Sequence, residues 1–241
     1  MSIQQHPLSD GRSLQIERNG RHQYRVEGGG WLPGTTSLLA ALDGGGFGAG
    51  MGWATKIIRE NDGDLDAPRR ASKQAQDEGT QLHADIEAYI VDGTVAEANP
   101  LFVRWLQELG SAQSWVAAEK YVIEPSATGY GGTIDAISIE LDGTRTAWDW
   151  KTKHSESFAK YGSSLTDAAQ LAAYVDALDA MGSRWCCSTA KLGYVMRDAP
   201  VDGRWVHVVE VNLDDGRALF RASHRIHTVK QDIHDREKGV R

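Results

Sequence analysis

Two stretches of the chain carry residues whose types and spacing could do chemistry. In "TRTAWDWKTK" (144–153), Asp149 and Lys151 alternate with Trp148 and Trp150. In "YGGTIDAISIEL" (130–141), Asp135 interrupts an otherwise apolar run. Both read as strands, joined at "ELDGT". A two-residue Asp142-Gly143 loop would send Asp135 and Asp149 to opposite faces. A three-residue loop, Leu141 to Gly143, puts glycine at the left-handed bulge position and sets Asp135 directly across from Asp149, with Lys151 on the same face. Directly opposed like charges destabilise a sheet. A divalent cation between them is the simplest reason to keep them, and hard cations such as Mg²⁺ take carboxylates and water and suit phosphate substrates. A charged lysine is no ligand, but it can hold a water or a phosphate oxygen and stabilise developing negative charge. A solvated face would account for Asp149 and Lys151 alone, yet the two tryptophans imply that the strand's other face is buried.

Three further features surround this hairpin. "EGTQLHADIEAY" puts His83 and Glu87 one helical turn apart, and a neutral imidazole is a common metal ligand. Without a second histidine the pattern is not a zinc-protease motif. "AAEKYV" places Glu119 on the strand before the hairpin, and "DAAQLAAYVDAL" places Gln170 and Tyr174 at i and i+4 on the helix after it. Glutamine and tyrosine on one face can position a base or a phosphate by hydrogen bonding.

The elements that must hold these residues follow from periodicity and turn chemistry. Residues 13–32 read as two short strands about Asn19-Gly20. Thr35 or Thr36 can cap a short helix with Leu38, Leu39 and Leu42 inward. "GGGFGAGMGW" (44–53) reads as a flexible loop; no Gly-Lys-Ser/Thr follows it, so it is not a phosphate loop. A long helix spans 68–92, ended by Gly93, and a shorter one about 99–110. Strands at 114–124, 130–141 and 144–153 lead into a helix at about 166–181, two more strands within 186–213, and a polar helix at about 214–235. Helices around a mixed sheet make an α/β architecture, with residues 1–67 an elaboration on a core spanning 68–241.

In this order, His83, "EKYV", "GGTIDAI", "DWKTK" and "QLAAY" resemble the PD-(D/E)XK nuclease superfamily, and most of all its RecB-like exonuclease branch, with its helix histidine, Gly-x-x-Asp, Asp-x-Lys-Thr and Gln-x-x-x-Tyr. "LPGTTSLL" further resembles the opening of mitochondrial genome maintenance exonucleases and related phage proteins. The resemblance implies a restriction-endonuclease-like core. It implies that His83, Asp135, Asp149 and the Trp150 carbonyl bind Mg²⁺ or Mn²⁺, that Lys151 is the catalytic lysine, and that Glu119 supports the site through a metal-bound water. Gln170, Tyr174 and Lys153 would contact DNA or order the site. Ile134 stands where proline is common in the superfamily, which is ordinary in this branch.

The expected activity is a metal-dependent exonuclease acting on single-stranded DNA ends, in phage or bacterial recombination, repair or degradation, with a single-strand annealing or recombination protein as a partner. Lys73, Arg69 and Arg70 are candidates for strand contacts. The rivals are a structure-specific endonuclease with the same site and a catalytically dead DNA-binding recombination partner.

Composition bounds this reading. The 241 residues carry a net charge of −7, with 41% hydrophobic and 24% charged, which excludes a protein that coats nucleic acid broadly. The only two cysteines, Cys186 and Cys187, are adjacent, so neither a disulfide framework nor an iron–sulfur cluster is expected. The absence of a signal-like start and of an apolar run near 18 residues, roughly a membrane helix, points to the cytoplasm and away from a membrane.

Overall fold

The computed structural model of the chain describes residues 1–40 and 47–239. Leu42 and the glycines at 44–46 lie outside them. The chain opens with a small antiparallel sheet of β1 (Ser2–Pro7), β2 (Ser13–Arg18) and β3 (Tyr24–Val26). Three helices follow, α1 (Thr35–Leu39), α2 (Phe47–Glu60) and α3 (Ala67–Asp92), and then α4 (Pro100–Glu108). The strands β4 (Ser114–Glu124), β5 (Tyr130–Ile139) and β6 (Arg145–Lys153) run consecutively. After α5 (Ser155–Tyr161) and α6 (Leu165–Ala180) come β7 (Thr189–Met196), β8 (Val206–Glu210) and α7 (Leu213–Glu237).

The central sheet has the order β4-β5-β6-β7-β8. Its pairs are antiparallel except β6 with β7, which run parallel across the α5–α6 crossover. The expected α/β class, a mixed sheet flanked by helices, is the one observed. Both faces are buried, as a sheet with helices on each side requires. On one face α6, α7, α1 and the small sheet bury Ile134, Leu171, Val175, Leu178, Tyr194 and Phe220. On the other, α3 and α4 bury Leu82, Ile86, Phe102 and Trp105 against Trp148 and Trp150. The two strand tryptophans stack, their centroids 5.1 Å apart. The inference that their side is buried is right, but the Asp149 side is buried as well.

Several local expectations need correction. The stretch 44–53 is not a loop throughout: from Phe47 it is helical. Each glycine costs a helix about 1 kcal/mol, but "WATKIIRE" supplies the stable turns, and Lys56 pairs with Glu156 of α5 at 3.2 Å. The strand β1 and the helix α5 lack strong periodicity and were not expected. The β2–β3 ladder closes at Arg18–Tyr24, so the connection is five residues rather than Asn19-Gly20. The Asn19 side chain accepts the amides of Arg21 and Gln23, and His22 takes the left-handed conformation. No side chain caps α1; Gly34 precedes it, and the Thr35 hydroxyl donates instead to the Gly131 carbonyl at 2.9 Å. Leu38 and Leu39 point inward as expected.

Candidate active site

The site begins with the β5–β6 turn. Gly143 is left-handed at φ 86°, and the Glu140 amide donates to the Thr144 carbonyl at 2.8 Å. This closes the three-residue loop and sets the register, with Ile139 opposite Arg145 and Ala136 opposite Trp148. The next position along brings Asp135 across from Asp149. Past Ala136 and Trp148 the β5–β6 ladder stops, while β5 goes on pairing with β4 on its other edge. The Trp150 amide, freed from the ladder, donates to Asp135 Oδ2 at 2.7 Å. Asp135 thus replaces a main-chain acceptor where the strands part.

Asp149 is 1% exposed. The Lys151 ammonium lies against its Oδ2, an oxygen that is buried and accepts no hydrogen bond of good geometry. From α6, Gln170 Nε2 donates to Asp149 Oδ1 at 3.3 Å and to the Tyr174 hydroxyl at 2.8 Å. The i, i+4 face expected for this pair therefore points into the site. Gly132 makes room for it, since a Cβ there would lie 2.0 Å from Tyr174 Cε1.

The long helix α3 crosses this hairpin and delivers His83. Its Nε2 lies 3.0 Å from the Trp150 carbonyl oxygen, and its Nδ1 lies 3.4 Å from Asp135 Oδ2 and 3.8 Å from Glu119 Oε1. Glu119 reaches this point by an unusual backbone. Its neighbours Ala118 and Lys120 pair with Ala136 and Ile134, while Glu119 itself is left-handed at φ 47°. That conformation costs an ordinary residue energy and clusters at functional sites. One ligand atom each from His83, Glu119 and Asp135 lies within 4.8 Å of the others.

Charge in this pocket is strongly displaced from ordinary values. Burial works against a charged His83, but the carboxylates of Asp135, Glu119 and Asp149 overcome it and raise the imidazole well above its usual range. Burial raises Glu119 and pushes Asp149 up to about 7 against the pull of Lys151. Asp135 goes the other way, because His83, Lys151 and the Trp150 amide outweigh its burial and lower it. Lys151 is raised and stays an ammonium despite burial, held by Asp149 and Asp135. Two carboxylates and an imidazole converging beside the buried Asp149–Lys151 pair form a donor set that fits a hard divalent cation.

The structure gathers His83, Glu119, Asp135, Asp149, the Trp150 carbonyl, Lys151, Gln170 and Tyr174 in one place. Lys153 is engaged elsewhere, donating to the Gly162 carbonyl at 2.9 Å and lying 4.8 Å from the Tyr194 ring centre. The basic residues of α3 are likewise occupied: Lys73 pairs with Asp77 at 2.9 Å, Arg69 with Asp66 at 4.0 Å, and Arg70 with Asp64. Gly193 of β7 is a support that sequence reasoning missed. A Cβ there would lie 2.3 Å from the Trp150 ring, and the only available signal was a glycine inside an apolar strand.

A family profile of the PD-(D/E)XK nuclease superfamily matches residues 56–238. The chain belongs to that superfamily. Among solved structures, SSO0001 is 16% identical with a TM-score of 0.41, over 73% of this chain and 71% of its own. LHK-Exo, solved in complex with dAMP, is 13% identical with a TM-score of 0.36, over 66% and 85%. No curated protein sequence matches the chain significantly. Nucleases of this superfamily use divalent metal ions, and the His83–Glu119–Asp135 cluster is a place where this chain could hold one. Among the described residues no helix is long and apolar enough to cross a membrane.

Proposed function

We propose that this chain is a Mg²⁺- or Mn²⁺-dependent deoxyribonuclease that hydrolyses phosphodiester bonds from DNA ends and prefers single strands. The convergence of His83, Glu119 and Asp135 beside the Asp149–Lys151 pair carries the reading. His83, Asp135, Asp149 and the Trp150 carbonyl would hold the ion, with Glu119 as a further carboxylate. The bound ion supplies Lewis acidity to the scissile phosphate and the attacking water. Lys151, kept protonated by its carboxylate neighbours, offers its ammonium to charge developing on the phosphoryl oxygens. Gln170 and Tyr174 hold Asp149 in place from α6, and Lys153 orders the end of α5.

The order of motifs, similar to the RecB-like branch, supports an exonuclease over an endonuclease. The same reading extends to a role in phage or bacterial DNA recombination, repair or degradation, beside a single-strand annealing or recombination protein. Residues 1–67 form an elaboration on the nuclease core in this scheme. The test compares an end-labelled linear single strand with a covalently closed circular single strand of matched composition, with Mg²⁺, Mn²⁺ or EDTA. Metal-dependent loss of the linear strand alone is expected. Equal cutting of the circle makes the enzyme an endonuclease, and cutting undiminished by EDTA removes the metal.

A further inference from the structure

The outer strand β4 has no main-chain partner on its free side within the five-stranded sheet. The side chains of β1 cover that edge instead. Gln4 Nε2 donates to the Glu119 carbonyl at 2.7 Å, and the Tyr121 amide donates to Gln4 Oε1 at 2.9 Å. Beside it, Ser2 Oγ lies 2.6 Å from the Tyr121 hydroxyl, and His6 Nδ1 lies 3.0 Å from the Tyr121 carbonyl. One carboxamide therefore spans the Glu119 corner, which is the left-handed residue that turns a carboxylate towards His83 and Asp135.

We infer that Gln4 is a positioning residue for the candidate metal cluster, acting through the backbone of Glu119. The inference rests on the proposal that Glu119 serves the site. The ladder to β5 pairs Ala118 and Lys120 on either side and not Glu119 itself, and the Glu119 carbonyl takes its side-chain partner from Gln4. A non-glycine residue stays left-handed only where its surroundings impose it. Here they must satisfy an outward carbonyl and an outward amide two residues apart. A carboxamide does both at once, with one acceptor and one donor. Alanine does neither, and glutamate can accept from Tyr121 but cannot donate to Glu119. Released from Gln4, the corner relaxes towards extended strand and carries the Glu119 carboxylate away from His83.

The experiment is calorimetric titration of the full chain with Mn²⁺ alone, on Gln4→Ala, Glu119→Gln, the double variant and Ser2→Ala, each with a melting curve taken without metal. Outer partners of metal ligands typically change affinity by about 10–100-fold. Gln4→Ala and Glu119→Gln should each weaken Mn²⁺ binding by about tenfold or more on that scale. The double variant should bind no more weakly than Glu119→Gln, because both changes act on one group. Ser2→Ala loosens the same strand without touching Glu119 and should bind Mn²⁺ as the wild type does. If Gln4→Ala fails to melt cooperatively, Gln4→Glu, which keeps the Tyr121 bond, replaces it with the same expectation. The inference is overturned if Gln4→Ala binds normally, if its effect adds to that of Glu119→Gln, or if Ser2→Ala is equally weakened. Normal binding by Glu119→Gln has a different meaning: it removes Glu119 from the cluster, and the role of Gln4 falls with that assignment.

Discussion

The Trp150 amide gives its hydrogen to the Asp135 carboxylate, 2.7 Å away, at the point where β5 and β6 stop pairing. A carboxylate proposed as a metal ligand is thereby also the group that closes the sheet. The two duties can be separated. In Asp135→Asn the amide oxygen can still accept from Trp150, whereas in Asp135→Ala the buried Trp150 donor is orphaned. A buried unsatisfied donor costs about 1–3 kcal/mol. Both variants should lose metal-dependent cleavage and the charge interaction with His83, but Asp135→Ala should lose further stability on that scale in denaturant unfolding. Equal stability of the two would show that the strand junction does not depend on this bond.

Asp149 and Lys151 should be coupled in stability as well as in activity. Asp149→Asn and Lys151→Met should each lower Mg²⁺-dependent turnover by at least about a hundredfold, the scale for losing a group that stabilises a transition state. Lys151→Met leaves a buried carboxylate without its counter-charge and should be the less stable of the two. Adding Asp149→Asn to it should restore melting temperature without restoring activity. Failure of that recovery would mean that the pair is not electrostatically linked.

His83 makes the metal-free protein pH-dependent. Its folded-state pKa is raised well above 6.5 because the surrounding carboxylates outweigh burial. A raised histidine pKa stabilises the fold fully below the unfolded value of 6.5, and the contribution fades as pH climbs through the folded value. In metal-free buffer the wild type should therefore lose melting temperature relative to His83→Asn as pH rises from 6.5. Affinity for Mn²⁺ should rise over the same window, since a ligand imidazole must surrender its proton. A difference between wild type and variant that is flat with pH would contradict the charged histidine.

The glycine beneath Tyr174 should tolerate no side chain. In Gly132→Ala the new methyl would sit 2.0 Å from the Tyr174 ring, and overpacking of this kind typically costs about 1–3 kcal/mol. Displacing Tyr174 also loosens Gln170 from Asp149, so activity should fall together with stability. Wild-type melting and turnover in this variant would show that the ring moves aside freely.

The hairpin was legible in the sequence because turn chemistry and a two-residue period are local. Gly143 announces the left-handed position, and that one residue sets Asp135 against Asp149. His83 could be placed on a helix face, but not 3.0 Å from the Trp150 carbonyl, which depends on how α3 crosses the sheet. Nothing in "AAEKYV" marks Glu119 as left-handed. The side chain that spans the corner belongs to Gln4, 115 positions earlier. The start of α2 was hidden for the opposite reason, because glycine's local preference pointed to a loop while the helix-forming residues of "WATKIIRE" lie further along.

The ion pairs along the outside of α3 bear on how such a protein would respond to salt. Binding to nucleic acid usually weakens steeply with ionic strength because each lysine or arginine that meets a phosphate releases a condensed counterion. Lys73, Arg69 and Arg70 already have aspartates as their counterions. A phosphate must displace an aspartate before any of the three can neutralise it and add to the salt dependence. With a chain of net charge −7, attraction for a DNA strand would then come chiefly from the cleft and its ion, and binding would fall only shallowly as salt is raised.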